Sequence, residues 1–252
     1  MKIQLSRRQR AGSTVVATPG GWQLHLPAGP EGTYRLAQLD DYAHIARSRF
    51  LWQPPLQMRL RARVSAADLP GTWGFGLWND PFGLSIGYGG TPRRLPALPE
   101  AAWFFHGSVP NSLALEDSQP AHGFFAGVFH SSLPSWSLLL GTPALPFLAI
   151  RPLSRLLRRL ASRILHEQAA LLPADATGWQ HYTLRWLREG LVFQCDGRTV
   201  LETSLVPSPP LGLVLWIDNQ YAGWTLRGEV RFGTLPNPEA WLEIADLQVE
   251  PV

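Results

Sequence analysis

A chain of 252 residues with only 16% charged residues, and with 23 each of Gly and Pro, suits many short strands joined by turns rather than a disordered or fibrous chain. The net charge of +3 is uneven: nine of the 22 basic residues fall in two patches, Lys2 to Arg10 and Arg151 to Arg163, while the remaining 13 face 19 acids. A mildly acidic body with two basic patches argues against general nucleic-acid binding, which wants a basic groove, and one cysteine, Cys195, excludes an intrachain disulfide.

In chain order, the basic N-terminus has no uninterrupted apolar segment and reads as a poor secretory signal, so a cytoplasmic location is expected. No window is long and apolar enough to span a bilayer. Ser13 to Ala17 and Trp22 to Leu26, separated by Pro19-Gly20-Gly21, predict an opening hairpin, and Tyr34 to Leu39 predicts a further strand. In Gln57 to Ser65 the alternation puts Met58, Leu60, Ala62 and Val64 on one face and the Arg59, Arg61, Arg63 row on the solvated one. A Gly- and Trp-rich strand follows around Gly71 to Trp78, then a loop through Gly89 to Pro92 and on to Pro99. Strands are expected at Pro99 to Ser108 and Gly123 to His130.

From Arg151 to Leu172, apolar residues recur at Leu153, Leu156, Leu157, Leu160, Ala161, Ile164, Leu165, Ala169 and Leu172 among five arginines. The spacing predicts an amphipathic helix over about 150–172, opened by Pro152 and stopped by Pro173. Its leucine stripe is expected to dock across the sheets; a lid and a peripheral membrane contact are the alternatives that the arginines leave open. Tyr182, Leu184 and Trp186, then Leu191, Phe193 and Cys195, alternate around an Arg188-Glu189-Gly190 turn and lead to an Asp196-Gly197 hairpin turn: a β-meander. Cys195, on the apolar side, reads as a buried small residue. Leu211 to Asp218 and Ala240 to Val249 complete the strands.

The meander resembles a hairpin of the concanavalin-A-like jelly rolls, in particular the family-16 glycoside hydrolases, whose W-x-x-Y-x-x-x-W strand and D-G hairpin are matched by Trp179, Tyr182, Trp186 and Asp196-Gly197. Gly71, Trp73, Phe75 and Trp78 loosely match a second motif of that family, and the resemblance runs over roughly residues 55 to 250. It implies an all-β fold: a two-sheet antiparallel jelly-roll sandwich, one domain over 1–252, with one amphipathic helical insertion.

Family-16 enzymes carry their carboxylates on one strand, because a retaining mechanism needs two carboxyls about 5 Å apart. On the corresponding segment Glu100 matches the nucleophile, but Ala102 and Phe104 or Phe105 replace the other acids, so the pair is broken. If Glu100 faces the cleft, strand parity puts Ala102, Phe104 and His106 there too, which makes Glu100 and His106 the candidate catalytic residues; the alternative is a strand-end His106 with a satisfied hydrogen bond and a solvated Glu100. The G-x-S-x-G match at Gly83 to Gly87 lacks the helix that a nucleophile elbow needs. Seven scattered histidines predict no metal site, and no cofactor motif appears. Asp246 resembles an Asp that some relatives use for calcium, without further ligands to match.

Eleven Trp, several beside polar groups, point to ring-stacking recognition. The candidate ligand-binding residues are Trp78, Asn79, Asp80, Trp103, Phe104, Trp216, Asp218, Asn219 and Tyr221, on a concave sheet face. The reading is a carbohydrate-binding or degenerate glycoside-hydrolase-like protein with an oligosaccharide or small-molecule partner. Its rival is an intracellular binder or proton-transfer enzyme, of isomerase or cyclase type, for an apolar or amphipathic small molecule under the helix.

Overall fold

A computed structural model describes residues 3–81, 94–112, 114–116, 118–172 and 175–252. The Gly83 to Gly87 match, the Gly89 to Pro92 loop and Pro173 lie outside the described residues. The strands are β1 Ser6–Arg10, β2 Thr14–Thr18, β3 Gly21–Leu26, β4 Leu36–Asp40, β5 Leu56–Val64, β6 Thr72–Trp78, β7 Ala101–Gly107 and β8 Gly123–Ser131. A helix α1, Arg151–Ile164, precedes β9 Leu165–Leu171, β10 Gln180–Trp186, β11 Leu191–Cys195, β12 Arg198–Thr203, β13 Gly212–Asp218, β14 Gln220–Trp224, β15 Val230–Thr234 and β16 Ala240–Pro251.

They form a two-sheet antiparallel jelly-roll sandwich. The first sheet has the order β1-β4-β13-β6-β7-β8-β9, the second β12-β11-β10-β5-β16-β3-β2, and β14-β15 make a small ribbon. The expected alternation in β5 is realised: Met58, Leu60, Ala62 and Val64 are buried, and the arginine row pairs with the closing strand as Arg59–Glu250, Arg61–Asp246 and Arg63–Glu243 at 2.5–2.6 Å. Such exposed pairs contribute little individually, ~0–1 kcal/mol. Asp246 thus spends its carboxylate on Arg61. The Asp196-Gly197 turn has positive φ at both residues, 48° and 76°, the geometry of a two-residue hairpin turn.

Between the sheets lies one core in which Phe75, Phe104, Tyr182 and Phe193 interlock. Cys195 is buried there, and burial pushes its thiol up to about 11. The first sheet is unusual in being apolar on its other face as well. Every residue of β7 and β13 is buried, so those strands read as continuous apolar runs rather than alternating ones.

Two glycines of β6 belong to that outer face. A Cβ on Gly74 would stand 2.4 Å from the Phe104 carbonyl oxygen and 2.8 Å from Trp216 Cη2, and one on Gly76 would stand 2.5 Å from Trp103 Cβ. Glycine here lets backbone and indole rings approach closely. Gly74→Ala is expected to cost ~1–3 kcal/mol in urea unfolding, the usual penalty of overpacking; wild-type stability would show that the strand yields freely.

The helix departs from expectation twice. It ends at Ile164, and Leu165–Leu171 is a strand whose pairs with β8 run from Ser131↔Leu165 to Phe125↔Leu171. Pairing satisfies backbone groups that β8 would otherwise leave open at the sheet edge, and this tertiary gain overrides the helical spacing of the apolar residues. The leucine stripe is also not docked: Leu153, Leu156 and Leu160 are exposed, whereas Ser154 and Arg158 are the buried helix residues. Arg158 donates to Trp224 O and Ala114 O at 3.0 Å, and Ser154 Oγ accepts from Trp224 Nε1 at 2.9 Å. The carbonyls of Ala114, in a loop, and of Trp224, at the end of β14, are satisfied here by donors on the polar face of the helix.

Candidate functional site

The antiparallel register sets out the outer face of the first sheet row by row. Gln38, Trp216, Gly74, Phe105 and Phe125 lie side by side, and the next row holds Asp40, Val214, Gly76, Trp103 and Gly127. Large rings therefore stand beside glycines. Their room allows Trp103 and Trp216 to meet at 5.7 Å between ring centroids, Trp78 to lie parallel to Trp216 at 6.4 Å, and Trp78 and Trp103 to approach to 5.9 Å. Phe105 and Phe129 extend the plate. Tyr42 and Phe50 pack against it from the segment after β4, held down by Arg94, which bonds the carbonyls of Tyr42 and Ile45 and pairs with Asp80.

The three indole N–H groups differ. Trp78 Nε1 donates to Tyr42 OH at 2.6 Å and Trp216 Nε1 to Thr72 Oγ1 at 2.9 Å. Trp103 Nε1 is buried and has no acceptor among the described residues. Buried donors are usually paired; the indole N–H groups of Trp73 and Trp186 also lack acceptors among the described residues, but those lie in the core between the sheets, whereas that of Trp103 stands in the outer aromatic face.

A polar chain borders the plate. Thr72 Oγ1, while accepting from Trp216, donates to Asp218 Oδ1 at 2.8 Å, and Tyr34 OH donates to Asp218 Oδ2 at 3.2 Å. Burial raises the Asp218 carboxyl to about 6 against the lowering effect of these bonds. On β4, Gln38 Nε2 donates to Asp40 Oδ2 at 2.9 Å, and burial raises Asp40 also.

Of the residues singled out from sequence, Trp78, Trp103, Trp216 and Asp218 come together here. Asn79 and Asp80 end β6 and serve structure: Asn79 bridges Leu98 O and Glu100 N, and Asp80 holds Arg94. Asn219 is fully buried and ties Arg35 N to the carbonyls of Thr33 and Leu235. Tyr221 lies on the small ribbon with its ring over Gly233.

Strand parity on β7 is the reverse of the expectation. Ala102 and Phe104 face the core between the sheets, His106 stacks on Trp73 of that core at 5.3 Å, and Ala101, Trp103 and Phe105 face outward. Phe104 is thus a core residue. Glu100 and His106 sit at opposite ends of β7, separated by about 20 Å at ~3.3 Å per residue. His106 Nε2 donates to Leu69 O at 3.3 Å, and burial lowers its basicity. Glu100 is 2% exposed and accepts from Ser131 N at 3.0 Å, Ser208 N at 2.7 Å and His130 Nδ1 at 3.1 Å. Burial raises its carboxyl while those three bonds lower it. A recess of about 350 Å³, lined in part by Arg47, Asn79, Trp136 and Ser208, opens beside this anchor.

Sequence reasoning missed Thr72, Gln38, Asp40 and Phe105 in the outer face and His130 beside Glu100. Alternation could have found Phe105 from Trp103; nothing local links His130 to Glu100, 30 residues away.

No family model matches the chain, and no curated protein matches it. Solved structures do. A legume lectin-like domain from Entamoeba histolytica is 10% identical over 98% of this chain and 90% of its own, with a TM-score of 0.49. A family-16 glycoside hydrolase from Bacteroides ovatus, in complex with a mixed-linkage glucan product, is 9% identical over 98% and 94%, with a TM-score of 0.49. A LamA variant from Zobellia galactanivorans, in complex with laminaritriose and laminaritetraose, is 14% identical over 93% and 80%, with a TM-score of 0.49.

Proposed function

We propose that this protein binds carbohydrate on the outer face of its first sheet, at Trp78, Trp103 and Trp216, and does so without hydrolysing it. The observation that carries the reading is the indole N–H of Trp103, which lacks an acceptor among the described residues while two further indoles stand within 6 Å of its ring. A pyranose offers what this surface asks for: C–H faces that pack on rings, and hydroxyls that accept from an indole N–H. Access is from the Trp78 and Phe129 side, where the rings are only partly buried.

The absence of turnover rests on where the carboxylates of the face stand. The outward positions of β7 are Ala101, Trp103, Phe105 and Gly107, and the two carboxylates of the face, Asp40 on β4 and Asp218 on β13, lie four residues apart in register, about 13 Å at ~3.3 Å per residue, wider than the pair of either glycosidase mechanism. The rival reading of an apolar ligand beneath the helix loses its main support, because the leucines of α1 point outward.

Calorimetric titration with laminari- and mixed-linkage β-glucan oligosaccharides tests the proposal. Saturable binding without release of reducing ends is expected. Trp103→Phe keeps the ring and removes the donor, and is expected to weaken binding about tenfold, the worth of one hydrogen bond to a ligand. Unchanged affinity in this variant, with its melting temperature preserved, removes Trp103 from the site.

A further inference from the structure

We infer that residues 133–163 form a docking surface for an anionic lipid membrane, with the protein resting on the bilayer through this segment. Nine of the nineteen large apolar side chains exposed among the described residues fall between 133 and 160. They include Trp136, Leu140, Leu145 and Phe147, on a stretch of 3₁₀ turns, Ser135–Ala149, that Pro143 and Pro146 keep from becoming an α-helix. Leu140 is 73% exposed. The patch is contiguous in sequence with α1, whose Leu153, Leu156 and Leu160 form its exposed apolar row.

The orientation of α1 is what distinguishes this surface from ordinary exposed leucines. A surface helix of a globular protein turns its apolar stripe to the core, but α1 turns Ser154 and Arg158 inward and presents its leucines to the outside. At 100° per residue, Arg155, Arg159 and Arg163 line one flank of the leucine row, and all three are exposed. Among the described residues none of the three has an acidic partner. An outward apolar row flanked by arginines is the pattern of an interfacial helix, with leucines below the headgroups and guanidinium groups at their level.

Charge selects the occupant. No Asp or Glu occurs from 118 to 166, a span of 49 residues holding five arginines, although the rest of the chain is mildly acidic. A surface with that field suits the negative potential of an anionic leaflet, and a second copy would bring the same cations face to face. The contact is peripheral: among the described residues no helix is long and apolar enough to cross a membrane.

Co-sedimentation with sucrose-loaded vesicles of phosphatidylcholine, alone or mixed with phosphatidylglycerol, tests this directly. The protein is expected to sediment with the mixed vesicles and to be released as salt rises well above ~0.1 M. Replacing Arg155, Arg159 and Arg163 together by Gln should lower partitioning on the order of a hundredfold, and Leu140→Ser with Phe147→Ser about tenfold. All five side chains are exposed, so melting temperatures should stay at the wild-type value, and a fall there would be read separately by circular dichroism. No sedimentation with either vesicle overturns the inference. So does equal binding of the arginine variant and wild type, or a concentration-dependent dimer that the Leu140 and Phe147 changes dissolve while vesicles remain unbound. None of these readouts depends on a glycan.

Discussion

Glu100→Ala is expected to lower the unfolding free energy by about 3 kcal/mol, the cost of leaving two backbone donors and an imidazole without their acceptor. One carboxylate ties β7 to two other segments through three donors, since His130 and Ser131 end β8 and Ser208 belongs to the chain leading into β13. No single replacement serves all three: Glu100→Gln retains one acceptor oxygen and should lose about half as much. Urea unfolding monitored by intrinsic fluorescence, with an unchanged m-value, reads both. A near-neutral alanine variant would mean that the two segments are held to β7 by packing alone. Burial and three hydrogen bonds give the Glu100 carboxylate a structural part in joining β7 to β8 and to the segment before β13.

Stability is expected to fall as pH rises from about 4 to above 6. Burial raises Asp218 from 3.8 to about 6, and Asp41 likewise. Between those values the folded chain keeps a proton that the unfolded chain releases, so raising pH through the window removes stability, by ~3 kcal/mol for Asp218 alone. Asp40, Glu100 and Glu167 are raised in the same direction, also chiefly by burial. Asp218→Asn, which cannot ionise, should flatten that share of the profile and leave the rest. A wild-type profile flat between pH 4 and 8 would contradict the assignment. Because Asp218 is bonded to Thr72, and Thr72 to Trp216, glycan affinity should carry a trace of the same titration.

The strands of the second sheet were legible because each has one wet face. In β5, β10 and β11 a period of two separates Met58, Leu60, Tyr182, Leu184 and Phe193 from their polar neighbours, and Asp196-Gly197 marks the turn without ambiguity. The central strands of the first sheet, β7 and β13 above all, are buried on both faces, and there periodicity vanishes. In β7, Ala-Ala-Trp-Phe-Phe-His reads equally well in either parity, so tertiary packing alone decided that Trp103 faces outward and Phe104 inward. The abundance of tryptophan was visible in composition, but the meeting of Trp78, Trp103 and Trp216 depends on Gly74 and Gly76, whose role shows only once β6 is placed between β7 and β13.

The stretch from Arg151 to Leu172 divides the two kinds of information most clearly. Amphipathicity and charge were written in its residues and needed no structure. Where the helix stopped was settled by the unpaired edge of β8, and which of its faces turned inward was settled by the carbonyls of Ala114 and Trp224. Hydrogen-bond demand of distant backbone has no local signature, and here it outweighed the leucine stripe, leaving that stripe outside beside its arginines.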